Sequence, residues 1–394
     1  MKKYTEIFDE IVDIMRVDSA TCKDMGCGPY EKYKKMIDDS MPRKEFVKTV
    51  KQYLCEFKLP GHLKFTDATM GNIDYEVIRK EKCLYVTKAA KGSDLKVGDT
   101  IIQVDSMSIE ETAQNNKVFL MGEPYNRQAH LWWQILMFSK MITVKRDGRK
   151  LKIPTKLSFN VDYEEDRYFY KVLDDKNIYL RVADFYDDYA INNMMTEVEP
   201  LLVECKMLVI DVRGNGGGSS QTYDKILEYC FPEGEQEIHD YGMEINHTAR
   251  NCESRLRIFK EFFGDDITEE LKAVLAEEKL KLLALKGKGF VKEPNDKMTV
   301  FGKKYPTSVK IYTDEGCCSA GESFVEIASQ SPKVTVIGRP TMGINDYSNC
   351  TNAVWDDFYL AYPTSRDCRI DVGKGMQGKG VPVDIYEENP VVIE

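Results

Sequence analysis

No stretch of this sequence approaches the roughly 20 apolar residues that a membrane-spanning helix needs, so no direct membrane span is expected. The start, MKKYTEIFDEIVDIM, carries two lysines but breaks its apolar residues with Asp and Glu, which disfavours a cleaved secretory signal. Basic clusters are short, as at Lys303-Lys304, and 65 Asp and Glu against 55 Lys and Arg leave a net charge of −10. A chain of that sign repels phosphate backbones, and nucleic acid is set aside as a partner. The 11 cysteines form no CxxC pair and no Cys/His metal spacing. Neither a disulfide framework nor a metal is therefore expected, and a reducing cytoplasm is the compartment that fits. Histidine is scarce, with only four residues: His62, His130, His239 and His247.

What is present belongs to a globular chain. Hydrophobic residues make up 42% and charged residues 30%, with 22 Tyr and 17 Phe to supply buried area. A length of 394 residues exceeds what one core usually serves, so two or three domains are expected. Residues 1–60 show helical spacing in Tyr4, Ile7, Phe8, Ile11 and again in Phe46, Val47, Val50, Tyr53, Leu54, which predicts a helical cap. After Pro60-Gly61 come short strands, YEVIR, CLYVTKA, TIIQV and MITVKR, predicting a β-rich module over 63–158. From Ile178 buried strands (IYLRVADF, MLVIDVRG, VKIYTD, KVTVIG) alternate with helical stretches, the pattern of α/β layers over 159–394. A charged helical stretch at about 232–300, including ITEELKAVLAEEKLKLLALKGKG, interrupts the alternation. Its Glu and Lys at i,i+4 spacing predict a solvated insertion, a lid being the lesser alternative.

Two motifs carry chemistry. LVIDVRGNGGGSS runs a buried strand into a turn whose Gly216, Gly217 and Gly218 can take backbone angles closed to other residues and point N–H groups at an anion. It lacks the Lys-Ser/Thr ending of a P-loop and the spacing of a dinucleotide site. In YTDEGCCSAGESFVEIASQ, Ser319 stands at the start of a helical face formed by Phe324, Ile327 and Ala328. Such a serine is either a helix cap or a nucleophile whose oxyanion meets the N–H groups at the helix end. The adjacent Cys317 and Cys318 read as small buried residues.

DVRGNGGG, then Ser319-Ala320-Gly321-Glu322, then VTVIGRPTMG and GKGVPVD resemble, in order, the signature blocks of carboxyl-terminal processing and tricorn-like serine peptidases. GSDLKVGDTIIQVDSMSI is similar to that family's PDZ domain. The resemblance implies a multidomain α/β chain: a helical cap (1–60), a PDZ-like module (63–158) and a crotonase-like ββα catalytic core (159–394). It implies Ser319 as nucleophile, and an oxyanion hole built from Ala320 with Gly216 or Gly217. One branch of the family takes its base from a lysine in TxGK, but TMGIN places Ile344 there. The tricorn-like branch uses a histidine before the PDZ module, which falls on His62, and a glutamate to orient it, which falls on Gln377. Asp346, Asp371 and Glu322 are the alternatives for that orienting role. His247 and Arg250 are further candidates, for contacting a substrate carboxylate. No cofactor is implied. The expected partner is a peptide or unfolded protein, with homo-oligomer formation open. The alternatives are a peptide-binding pseudoprotease, favoured by Ile344 and Gln377, and a crotonase-like enzyme acting on acyl thioesters.

Overall fold

The computed structural model describes residues 2–163, 165–174, 176–263, 269–294 and 298–388. The chain divides into two compact units, one made of Met1–Asp162, Gly242–Pro294 and Tyr347–Gly373, the other of Tyr163–Tyr241, Asn295–Asp346 and Lys374–Glu394.

In the first unit the helical spacing becomes packing. Helix Tyr4–Asp13 buries Ile7, Phe8, Ile11 and Val12, and helix Arg43–Cys55 buries Phe46, Val47, Val50, Tyr53 and Leu54. Tyr4 stacks on Phe46 at 4.3 Å between ring centroids. These helices adjoin an antiparallel sheet in the order Lys64–Asp67, Phe358–Asp367, Met243–His247, Gly289–Lys292, with Tyr347–Trp355 also paired to Phe358–Asp367. A second antiparallel sheet runs Tyr75–Lys80, Cys83–Ala89, Thr100–Val104, Met141–Arg146, Arg149–Pro154. Leu84, Val86, Ile101, Val104, Ile142 and Val144 close its core around Trp132. Asp147 and Gly148 both take positive φ in the turn joining its last two strands, the twist that a two-residue hairpin requires.

The second unit is built on a six-stranded sheet in the order Ile385–Tyr386, Val334–Gly338, Ser308–Thr313, Met207–Asp211, Asn177–Val182, Tyr168–Asp174. All pairs are parallel except the last. Leu180, Leu208, Ile210 and Ile311 on the strands pack with Phe324, Val325 and Ala328 of helix Ala320–Ala328. Met207–Asp211 and Ser308–Thr313 are in-register neighbours, Asp211 opposite Tyr312. The loops leaving their carboxyl ends therefore emerge side by side, where open parallel sheets place their sites.

The stretch read as an insertion at about 232–300 is divided between the units. Gly234–Ile238 pairs with Met298–Gly302 in the second, whereas Met243–His247 and Gly289–Lys292 are sheet strands of the first. Residues 264–268 and 295–297 of that stretch lie outside the described residues.

Candidate active site

Ser319 is the N-cap of helix Ala320–Ala328, yet its side chain does not cap the helix and its backbone sits at φ 54°, ψ −125°. A β-carbon at positive φ costs on the order of 1–3 kcal/mol, and such strain clusters where a side chain must be held in one place. The partner surface is the glycine turn. A Cβ on Gly217 (φ +93°) would lie 2.6 Å from the Ser319 Cβ and 3.1 Å from the Ala320 nitrogen. Asn215, wholly buried, ties the two loops together: its backbone carbonyl accepts from Cys318 N–H at 2.9 Å and its Nδ2 donates to the Val182 carbonyl at 3.1 Å. Its Oδ1 accepts from the Gly217 N–H at 2.9 Å. Of the two glycines expected as oxyanion donors, Gly217 thus gives its N–H to Asn215. Ala320 offers the N–H of a first helical residue, which has no partner within the helix.

Behind the serine, Glu322 is fully buried and gathers the 341–345 loop. Its carboxylate accepts from Thr341 Oγ1 (2.6 Å), Ile344 N (2.9 Å), Asn345 N (3.0 Å) and Gly343 N. Burial pushes the Glu322 pKa up, opposed by these donors. Ile344 is 1% exposed, so the place of a family lysine is filled by a core side chain. Asn345 Nδ2 then donates to the Ser319 carbonyl (2.8 Å) and to Ser323 Oγ (2.9 Å). Asp346 Oδ2 accepts from the Met376 and Gln377 N–H groups at 2.8 and 2.9 Å, fixing the loop that carries Gln377. Below the glycine turn, Asp211 is buried. Burial works against its ionisation, but Arg213 and Arg181 hold its pKa below the ordinary carboxylate range.

His62 belongs to the first unit. It sits in a turn made by Gly61 at φ 90° and closed by the Leu63 N–H on the Leu59 carbonyl at 3.0 Å. The ring is 7% exposed and its Nδ1 lies 2.6 Å from the Tyr347 carbonyl. A carbonyl can only accept, so Nδ1 carries the proton and Nε2 of the neutral ring is the basic atom. Tyr347 is itself held: its hydroxyl donates to Asp24 (2.8 Å), which receives Arg366 through two bonds of 2.6 and 2.9 Å. Sequence reasoning missed this carbonyl, since a main-chain oxygen leaves no signature in residue type.

The other candidates are engaged elsewhere. His247 is 2% exposed, between Cys252 Sγ and Glu293 Oε1, both 3.8 Å away, and burial lowers its pKa. Arg250 pairs with Asp18 at 2.8 Å. Both side chains thus have acidic neighbours within the first unit, Arg250 remaining 44% exposed. Asp371 pairs with Arg366 at 2.7 Å, while Glu322 and Asp346 anchor loops, so these three carboxylates have structural employment. Burial raises the pKa of the Cys317 thiol, and that of Cys318 to about 12, leaving neither as a ready thiolate. Among the described residues no cluster of His, Cys, Asp or Glu fits a metal ion.

A strand ending in a glycine turn thus lies beside a strained serine at a helix start. Residues 176–387, over half of the chain, match peptidase family S41, and the chain belongs to that family. Mature CPAF complexed with lactacystin is similar in structure, with a TM-score of 0.66 and 10% identity over 98% of this chain and 93% of that one. Mature CPAF alone gives a TM-score of 0.64 at 10% identity over 98% and 92%. The photosystem II D1 C-terminal processing protease gives 0.46 at 14% identity over 98% and 94%. At 10% identity the likeness to mature CPAF shows the fold alone. No curated protein matches the chain. No helix among the described residues is long and apolar enough to cross a membrane.

Proposed function

We propose that this chain is a serine endopeptidase of the tail-specific, tricorn-like kind. The observation that carries the reading is Ser319: a left-handed backbone at a helix start, pressed against Gly217. In the proposed mechanism Ser319 Oγ attacks a peptide carbonyl, His62 Nε2 takes its proton and returns it to the leaving amine, and the N–H groups of Gly216 and Ala320 receive the oxyanion. The Tyr347 carbonyl orients the imidazole in the role that the family resemblance gave to Gln377. A carbonyl sets the tautomer but brings no full charge to stabilise imidazolium. Tautomer and charge together are worth up to about 10⁴-fold in a carboxylate-assisted triad, so a slow enzyme is expected.

The substrate is an extended peptide or unfolded protein. Strand Tyr75–Lys80 stands at the edge of its sheet, which suits a PDZ-like module that captures a peptide by strand addition. The test is incubation of the wild type, Ser319→Ala and His62→Ala with unfolded casein and a mixed peptide library, with products read by mass spectrometry. Cleavage lost in both variants supports the mechanism, and cleavage surviving in Ser319→Ala overturns it. Peptide binding without cleavage by any of the three favours the pseudoprotease reading.

A further inference from the structure

Helix Glu269–Leu285 is apolar on two faces. One packs inward: Leu282 is 4% exposed and Lys281 bridges to Glu293 at 2.6 Å. The other faces solvent. Ala273, Ala276, Leu280 and Leu283 are all exposed, Leu280 at 69% and Leu283 at 50%. The expected solvated amphipathic helix would put charge there. These four positions instead follow spacings of three, four and three, the a and d positions of two successive heptads.

The charges flanking this seam select its occupant. With Ala273 and Leu280 at a, Lys272 and Lys279 fall at g, and Glu277 falls at e. In a parallel pair each g residue meets the e residue five positions further along the other helix, so Lys272 meets Glu277 of a second copy, twice by symmetry. An antiparallel pair would set g against g and e against e, facing Lys279 with Lys279 and Glu277 with Glu277. Among the described residues Lys272 pairs with the 87% exposed Glu269 at 2.8 Å, an exposed pair of little worth.

We infer that helix Glu269–Leu285 is a self-association surface on which two copies of this chain pair in parallel through Ala273, Ala276, Leu280 and Leu283, with Lys272 facing Glu277 across the two-fold axis. Two heptads are a short seam, so the dimer is reversible and dissociates on dilution.

Sedimentation equilibrium of the full chain over a wide concentration range tests this. The wild type should show a monomer–dimer equilibrium, and Leu280→Glu with Leu283→Glu should be monomeric throughout. Lys272→Glu sets like charges together twice and should weaken association on the order of tenfold. The double reversal Lys272→Glu with Glu277→Lys should restore it. All these side chains are exposed, so circular dichroism should match the wild type, and the restored double reversal would stand even if the leucine variant misfolded. A wild type that stays monomeric overturns the inference. So does a dimer indifferent to the leucine changes, or a double reversal weaker than either single one.

Discussion

Replacing Gly217 with alanine perturbs the contact on which the site depends. The new methyl would sit 2.6 Å from the Ser319 Cβ, against 3.4–4 Å for ordinary contact, so the two loops must part by about 0.8 Å. Alanine at φ +93° adds about 1–2 kcal/mol of backbone strain, and overpacking a tight site adds about 1–3 kcal/mol. The sum, about 2–5 kcal/mol, corresponds to a fall in Tm of roughly 2–6 °C for a chain of 394 residues. A displacement near 1 Å at a nucleophile can also cost about 10²-fold in rate. Gly216→Ala is the matched control: nothing lies within 4 Å of its Cβ position, and it should cost no more than about 0.5 kcal/mol. Thermal melts and the rate of fluorophosphonate labelling read both effects. If Gly217→Ala melts and labels as Gly216→Ala does, the close approach has no functional weight and the reasoning fails.

Glu322→Gln would turn an amide NH₂ toward backbone N–H donors in a buried place, and should cost about 3–5 kcal/mol, seen as a lower urea midpoint. An unchanged midpoint would show that the carboxylate does not anchor the 341–345 loop. Burial opposes ionisation of Asp24, but Arg366 and the Tyr347 hydroxyl hold its pKa below the ordinary value. Its stabilisation is therefore complete above about pH 4–5 and is lost as pH falls through the lowered folded-state value. Asp24→Asn should flatten that acid limb of the stability curve, and an unaltered limb would remove the pair from the account. Cys318, with its thiol pushed up to about 12, should resist iodoacetamide in the folded protein at neutral pH, and Cys318→Ser should retain peptidase activity. Rapid alkylation that stops activity would point to a cysteine nucleophile instead of Ser319.

Much of the second unit was legible because its signals are local. The strand at Met207–Asp211, the glycine turn after it and the helix starting at Ala320 each lie within one continuous stretch of sequence. Their meeting follows from in-register parallel neighbours, Asp211 beside Tyr312. The first unit was less legible, since its sheet joins Lys64–Asp67 to Phe358–Asp367 and Met243–His247. Nothing near residue 245 announces a partner beyond residue 360, so about 232–300 read as an insertion. Glu322 was weighed as a partner for histidine, although four donors from the 341–345 loop already converge on it. Asn215 and Asn345 were passed over because asparagine in a loop is ordinary, and only the structure shows that the Asn345 amide binds the Ser319 carbonyl while the Asn215 amide holds the Gly217 N–H and the Val182 carbonyl. The contact between His62 Nδ1 and the main-chain oxygen of Tyr347 was not legible, since the search was confined to side chains.

The most direct test is to react the folded protein with a fluorophosphonate and locate the adduct by peptide mass spectrometry. The account predicts one adduct, on Ser319, absent in Ser319→Ala and slowed in His62→Ala. Folded protein that stays unlabelled, or an adduct on another residue, would contradict the assignment of Ser319 as an activated nucleophile.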